Sequence, residues 1–279
     1  GDFLWVKQTS TLSADQPREF GLVTDRDRNI FLGGSFAGNV DFDPGAGVAS
    51  LTGAGSNDAF LLKLDPSGNY QWVKQVGSTG SDVIMRLATD GAGNIYSTGT
   101  FTSASLDFDP GPASYPLTTT VRSAFVLKLD AGGNFIYAKN FQDGETYGQA
   151  IALDSSNCVY VAGHFTGPTD FDPGAGVHTV SGNGLYTAKL DENGNFAWAA
   201  GYVSTNSTYF ESIYSAIAVD ITKNVYFTGS YVGDLDWHPN AGTQITSSPG
   251  YPMWDMYIHK LSQCRSTVNV INAQSCGSY

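Results

Sequence analysis

An all-β chain built of four like units is what this sequence predicts, on three observations. The segment Val40-Asp41-Phe42-Asp43-Pro44-Gly45 returns as Leu106-Asp107-Phe108-Asp109-Pro110-Gly111 and as Thr169-Asp170-Phe171-Asp172-Pro173-Gly174. It returns once more, altered, as Leu235-Asp236-Trp237-His238-Pro239-Asn240, so the first Asp recurs at intervals of 66, 63 and 66 residues. A fixed period of this size marks a repeat architecture. Within each period, short apolar and aromatic segments recur in one order with the alternation of strands. The 279 residues include 33 Gly, 11 Pro, 15 Tyr and 16 Phe with only 14% charged residues, a mix suited to short strands and tight turns.

Taken in order, the chain opens on Phe3-Leu4-Trp5-Val6-Lys7, which matches Tyr70-Gln71-Trp72-Val73-Lys74, Phe135-Ile136-Tyr137-Ala138-Lys139 and Phe196-Ala197-Trp198-Ala199-Ala200. Aromatics at the first and third positions share one strand face; this is the outer strand of a unit, and its third-position ring packs between units. A variable polar segment leads to Phe20–Asp25, Met85–Asp90, Ala150–Asp154 and Ala216–Asp220, small and aliphatic as a doubly buried inner strand should be. Each ends in Asp, and Asn29, Asn94, Asn157 or Asn224 follows to close a hairpin turn. The second strand runs Ile30–Phe36, Ile95–Phe101, Val159–Phe165 and Val225–Tyr231. Gly34, Gly99, Gly163 and Gly229 hold its fifth position, which predicts close approach of neighbouring sheets. After the Asp-Phe-Asp-Pro segment and a Gly/Ser/Thr-rich stretch comes the third strand, Ala59–Asp65, Ala124–Asp130, Leu185–Asp191 and Met256–Ser262. Turns with Gly68-Asn69, Gly133-Asn134 and Gly194-Asn195 return the chain to an outer strand.

The last unit has no outer strand after Ser262, whereas the first outer strand has no third strand before it. The expectation is a four-bladed β-propeller over residues 1–262, about 65 residues per blade, closed by Phe3–Lys7 pairing in the last blade. The blades are expected at roughly 1–67, 68–132, 133–193 and 194–262, with 263–279 a linker or the start of a following domain. Alternating strand direction puts the short, uniform turns on one face and the variable connections on the other, where binding is expected.

The charge of −12 and pI of about 4.5 disfavour nucleic acid and anionic membranes as partners. No apolar run reaches the roughly 20 residues needed to span a bilayer, and the opening inside a repeat reads as a mature or trimmed form without a signal peptide. Cys158 lies in an apolar strand pattern and reads as a buried thiol; Cys264 and Cys276 can pair in an oxidising compartment and lack zinc-site spacing.

The units Ala150-Ile151-Ala152-Leu153-Asp154 with Val159-Tyr160-Val161-Ala162-Gly163, and Asp58-Ala59-Phe60-Leu61-Leu62-Lys63-Leu64, resemble the bacterial SBBP-type β-propeller repeats. The Asp-Phe-Asp-Pro-Gly insertion is similar to a subgroup in large secreted or surface-anchored multidomain proteins, many exported by type IX secretion and many with adhesion modules. The resemblance implies an extracellular or cell-surface location, a binding or structural role, and no catalytic residues. Four repeats in place of the family's seven is a departure from its pattern.

Two readings of the repeated carboxylates stand. Asp41, Asp107, Asp170 and Asp236 can accept backbone N–H bonds in a loop that Pro ends. Alternatively, with Asp43, Asp109 and Asp172, they offer the hard oxygen ligands that Ca²⁺ prefers, although no EF-hand pattern is present. In the fourth repeat His238 replaces the second Asp. A glycosidase pair from Asp41 and Asp43 conflicts with fourfold repetition, since an active site is usually unique. The four histidines, His164, His178, His238 and His259, match no metal motif; His164 takes a place held by Ser or Thr elsewhere. There is no nucleophile elbow, cysteine nucleophile context or Walker lysine. Trp237, His238, Tyr251 and Trp254, near the fourth variable loop with Pro252 and Met253, are candidates to stack on sugar rings or anchor a protein.

The function expected is therefore a non-catalytic binding or adhesion module, with a protein or glycan as partner at the cell surface and no nucleic acid or membrane insertion. The alternatives are a structural spacer and an accessory domain of a secreted enzyme.

Overall fold

The structure is a computed structural model that describes residues 1–11, 18–205, 211–239, 242–248 and 254–262. It divides into two units, Gly1–Asn140 and Phe141–Tyr279, each holding two repeats.

The first repeat contains β1 (Ser10–Thr11), β2 (Arg18–Thr24), β3 (Ile30–Phe36), β4 (Asn39–Asp41), β5 (Ser50–Thr52), β6 (Asp58–Leu64) and β7 (Tyr70–Val76). The second contains β8 (Val83–Thr89), β9 (Ile95–Phe101), β10 (Ser105–Asp107), β11 (Pro116–Thr118), β12 (Ser123–Leu129) and β13 (Phe135–Asn140). The third contains β14 (Glu145–Leu153), β15 (Val159–Thr166), β16 (Thr169–Asp170), β17 (Thr179–Val180), β18 (Asn183–Leu190) and β19 (Phe196–Val203). The fourth contains β20 (Glu211–Val219), β21 (Val225–Val232), β22 (Asp234–Asp236), β23 (Ile245–Ser247) and β24 (Asp255–Leu261).

Strands pair in sequence order into antiparallel sheets β2-β3-β6-β7, β8-β9-β12-β13 and β14-β15-β18-β19, and into the three-stranded β20-β21-β24. The insertion between second and third strands forms a short ribbon of its own, β4-β5, β10-β11, β16-β17 and β22-β23, and in the first repeat β1 adds a third strand beside β4. Repeated four-stranded antiparallel sheets, with no helix among the described residues, are the build of a β-propeller. Among the described residues no helix is long and apolar enough to cross a membrane.

Two expectations are corrected. The inner strand is half-exposed, with Leu22 at 68% and Phe20 at 38%, while the second strand is the doubly buried one: every residue of β9 is buried. An inner strand is the edge of its sheet and has a neighbour on one side only. The invariant glycine of the second strand answers to the inner strand of its own sheet, not to a neighbouring sheet. A Cβ on Gly34, Gly99 or Gly163 would lie 1.9, 1.8 or 1.7 Å from the carbonyl oxygen of Arg18, Val83 or Tyr147. There the inner strand carries a register shift, at Glu19/Gly21, Ile84/Arg86 and Gly148/Ala150, and such a bulge drives a carbonyl toward its partner strand. Phe3–Lys7 is not in a strand, and its pairing with the last sheet is not seen: Phe3, Leu4 and Val6 are about 80% exposed, and the last described sheet ends at β24. Residues 3–7 have no ladder partner, and an isolated extended segment without one gains nothing from strand geometry.

The short turns follow the expected chemistry. In Asp65-Pro66-Ser67-Gly68-Asn69, Asp65 Oδ1 accepts the amides of Ser67 and Asn69 at 2.8 and 2.9 Å, and the Asn69 side chain donates to Oδ2 at 2.9 Å. Asp90, Asp130, Asp191 and Asp220 repeat the pattern. The amide and side chain of Asn69 hold the Asp65 carboxyl below the usual carboxylate range.

Candidate functional site

The ribbons are pinned to the sheets by the aromatic of the repeated motif. Phe42, Phe108 and Phe171 are essentially fully buried. Phe108 sits 5.3 Å from Phe101, edge-on, and 5.1 Å from Phe125; Phe42 and Phe171 repeat this against Phe36 and Phe60, and against Phe165 and Tyr186. A ring at this position is therefore core, and it holds each ribbon on the end of the sheet away from the Asp-Asn turns.

The first Asp of each motif is a staple. Asp41 Oδ1 accepts the amides of Asp43 and Ala49 at 3.1 and 2.8 Å; Asp107 accepts those of Asp109 and Tyr115, Asp170 those of Asp172 and His178, and Asp236 those of His238 and Gln244. One carboxylate oxygen thus ties both sides of the ribbon tip together. The Gln244 and His238 amides hold the Asp236 carboxyl below its ordinary value. Burial opposes ionisation of Asp107, but the Tyr115 amide and the Ser114 and Asp109 contacts outweigh it, and its carboxyl is also lowered. The second Asp makes a smaller turn, Oδ1 of Asp43, Asp109 and Asp172 each accepting the amide of Gly45, Gly111 or Gly174 at 2.7 Å. Asp43 and Asp172 fold their Oδ2 over Gly47 and Gly176, where a Cβ would sit 2.3 and 2.2 Å away. The His238 ring takes the same place over Gly242.

This donor set suits a hard cation poorly. Ca²⁺ takes six to eight oxygen ligands. Here Oδ1 of both carboxylates is engaged by amides, and among the described residues no three His, Cys, Asp or Glu converge on one point.

The fourth ribbon differs. Trp237 takes the place of the buried Phe and is only half-buried, among Tyr202, Phe227, Tyr231, Tyr257 and His259. Its Nε1 donates to Thr246 Oγ1 at 2.6 Å, and Thr246 Oγ1 also bonds the Tyr231 hydroxyl at 2.6 Å. The His259 ring stacks on Trp237 at 20° with centroids 5.5 Å apart, and burial pushes its pKa down. A cavity of about 650 Å³ opens beside this cluster, lined by Trp237, His238, Gln244 and Thr246 of the ribbon and by Asp255 to His259 of β24. A second cavity of about 420 Å³ lies on the other side of His238, between the third and fourth ribbons, with His178, Ser181, Gly201 and Asp236 in its wall.

Of the residues singled out from sequence, Trp237 and His238 thus come together at a cavity. Trp254 is half-buried ahead of β24 and lines neither cavity; Tyr251, with Pro252 and Met253, lies outside the described residues, as do Cys264 and Cys276. Cys158 is a free thiol, half-buried rather than buried, because it closes the Asp154 turn just ahead of β15; burial, then the Asp154 charge, raises its pKa. His164 is half-buried and stacks on Tyr147 at 3.9 Å.

Sequence reasoning missed a lattice at the opposite end of the sheets. The Tyr160 hydroxyl donates to Asp154 Oδ2 at 3.0 Å, Lys189 Nζ lies 3.6 Å from the same oxygen, and that ammonium sits 4.9 Å over the Tyr160 ring. Tyr96 with Lys128 and Tyr226 with Lys260 repeat the stacking. The signal was present as a Tyr at the second position of strand two and a Lys at the fifth of strand three.

Comparison with known proteins agrees with this build. A curated relative, an uncharacterized WD repeat-containing protein (L264) of Acanthamoeba polyphaga mimivirus, is 25% identical over 191 residues, covering 60% of this chain and 14% of that protein. The chain therefore spans about one seventh of the length of that relative. Residues 71–104, which run from the outer strand of the first sheet through the inner and second strands of the next, match the SBBP β-propeller repeat family. The chain carries a β-propeller repeat of the SBBP type.

Proposed function

We propose that this chain is a non-catalytic binding module whose ribbon face carries the contacts, with a glycan or protein of the cell surface or extracellular space as partner. The observation that carries the reading is the concentration of irregularity at one place. Three ribbons share one motif with a buried Phe and an Asp turn; the fourth substitutes Trp237 and His238, and a cavity opens between it and the third ribbon. Repeated residues serve the scaffold, so a unique cluster on a variable connection is where recognition would reside. The test is an array of glycans and extracellular proteins probed with the wild type and with Trp237→Phe/His238→Asp, which restores the motif of the other repeats. Binding that the double variant loses supports the proposal; a chain that captures nothing on the array is a spacer.

The scaffold proposed is a closed ring of four blades, with residues 3–9 as the outer strand of the last sheet. Two placements within the first unit support it. Trp5 and Lys7 lie over Gly68 as Trp72 and Lys74 lie over Gly133, and Ser10 pairs with Asp41 as Gln142 pairs with Asp170 in the third repeat. Residues 3–11 therefore follow the path of an outer strand belonging to a blade next to the first. By the register of β6 with β7, Trp5 would face Lys260 and Lys7 would face Ile258. The larger cavity is then the seat of this strand, since Gln244 holds the position from which Tyr115 and His178 stack on Phe135 and Phe196. With the native cysteines replaced by Ser, Lys7→Cys/Ile258→Cys should cross-link within one chain on oxidation; cross-links only between chains, or none, would refute closure.

A further inference from the structure

The smaller cavity lies where the third sheet lacks a side chain that the first two sheets carry. In the first sheet Gln75 Nε2 donates to the carbonyl of Thr52 at 3.0 Å and to Asp58 Oδ2 at 2.5 Å. In the second, Asn140 Nδ2 donates to the carbonyl of Thr118 at 3.2 Å and to Ser123 Oγ at 3.3 Å. Each amide rivets the outer strand to the ribbon and to the start of the third strand. The corresponding residue of the third sheet is Gly201, set opposite Tyr186 as Gln75 is set opposite Phe60. No amide bonds the ribbon here; Val180 packs over Gly201, and a space of about 420 Å³ lies between the third ribbon, β19 and the tip of the fourth ribbon.

We infer that this corner is a saccharide site, holding one or two neutral pyranose units; the inference rests on the binding role proposed above and names its ligand. The volume is in the range of small-molecule sites. The wall alternates polar and apolar groups in the way a pyranose does, which has a rim of hydroxyls around C–H faces. Thr179 and Ser181 contribute hydroxyls, and Asp236 a carboxylate whose two amide bonds both go to Oδ1; Val180, Val203 and Pro239 supply apolar surface. His178 is held rigid, its Nε2 bonded to the Ala199 carbonyl at 3.2 Å and its ring against Phe196, so the polar rim is preorganised. Asp236 in the wall and a chain charge of −12 select against an anionic ligand.

The probe is a panel of methyl pyranosides and neutral disaccharides, read by calorimetry and by saturation-transfer NMR on the whole chain. Gly201→Asn rebuilds the rivet of Asn140. Leu117, next to that rivet, is larger than the Val180 that faces Gly201, so the amide can be housed by a shift of Val180. Binding should disappear in Gly201→Asn while the variant still shows a cooperative melt. Ser181→Ala, on an exposed position that needs no repacking, should weaken it by about three- to tenfold, the cost of one neutral hydrogen bond, and keeps the test open if Gly201→Asn fails to fold. A sugar that binds both variants as well as wild type sits elsewhere on the face and overturns this site. A wild type that binds no sugar in the panel overturns the saccharide assignment, while capture of an extracellular protein on the array would show that the binding role itself stands.

Discussion

Truncating the ring that pins a ribbon separates a ribbon that belongs to the core from one that merely rests on it. Phe108 has no exposed surface and lies between Phe101 and Phe125, within a buried cluster that includes Leu106, Leu127 and Leu129. Phe108→Ala removes the ring from a site whose walls are strand residues unable to collapse inward, so the cost should sit near the middle of the range for such truncations, about 4 kcal/mol. A unit of this size loses about 3 °C per kcal/mol, which places the fall in melting midpoint at about 12 °C. Circular dichroism melting, with urea unfolding to confirm an unchanged slope, reads the effect. Phe108→Leu keeps most of the volume and should cost less than about 1.5 kcal/mol. Val48→Ala, on a ribbon residue 78% exposed, should lie within about 0.5 kcal/mol of wild type. A Phe108→Ala midpoint within about 3 °C of wild type would refute the argument, because the ribbon would then be peeling away without disturbing the sheet.

Gly99→Ala should destabilise by more than about 2 kcal/mol, since its Cβ would meet the backbone oxygen of Val83 at 1.8 Å, whereas Gly132→Ala, which meets only the Asn134 and Asp130 side chains at 3.2 Å, should be close to neutral in the same melts. Acid should unfold the protein in a defined window. The turn carboxyls of Asp65, Asp130, Asp191 and Asp220 have folded pKa values below the ordinary 3.8, so their contribution is complete above that value and is lost as pH falls through the lowered ones. The melting midpoint should therefore hold from neutral pH to about 4.5 and drop below pH 4. Asp82 has the opposite sign: burial raises its pKa, so it favours the fold while protonated and loses that contribution as pH rises through the raised value. Asp82→Asn should accordingly change the midpoint less at pH 4 than at pH 7.

The sheets were legible because their determinants are local. Alternation, the Asp-x-x-Gly-Asn turns and the recurring glycine placed β3 and β9 at their observed ends, Ile30–Phe36 and Ile95–Phe101. The reason for the glycine was not legible, because a bulge is a property of two paired strands and appears in neither strand alone. The ribbons were missed as strands for a similar reason. Ser50–Thr52 and Pro116–Thr118 are three residues long, too short for alternation to show, and they pair only because the Asp41 and Asp107 staples bring the chain back. At the candidate site the departure of Trp237 and His238 could be seen as a broken repeat. The role of Gly201 could not, since losing Gln75 or Asn140 at that position matters only once both are seen bonded to their ribbons.

A repeat protein separates scaffold from site by a simple test, the difference between what recurs and what does not. Asp41, Asp107, Asp170 and Asp236 recur, and in all four places one oxygen closes the same pair of amide bonds, so chemistry assigned to them would have to occur four times. His238 does not recur. Where an Asp would make a compact turn over its glycine, it presents an imidazole that reaches both cavities. The turn survives the exchange because Asp236, one strand end earlier, still staples the tip through the amides of His238 and Gln244. That redundancy leaves the second position of the motif free to vary without loss of the ribbon, and a position released from folding duty at the rim of a cavity is where a binding surface can change.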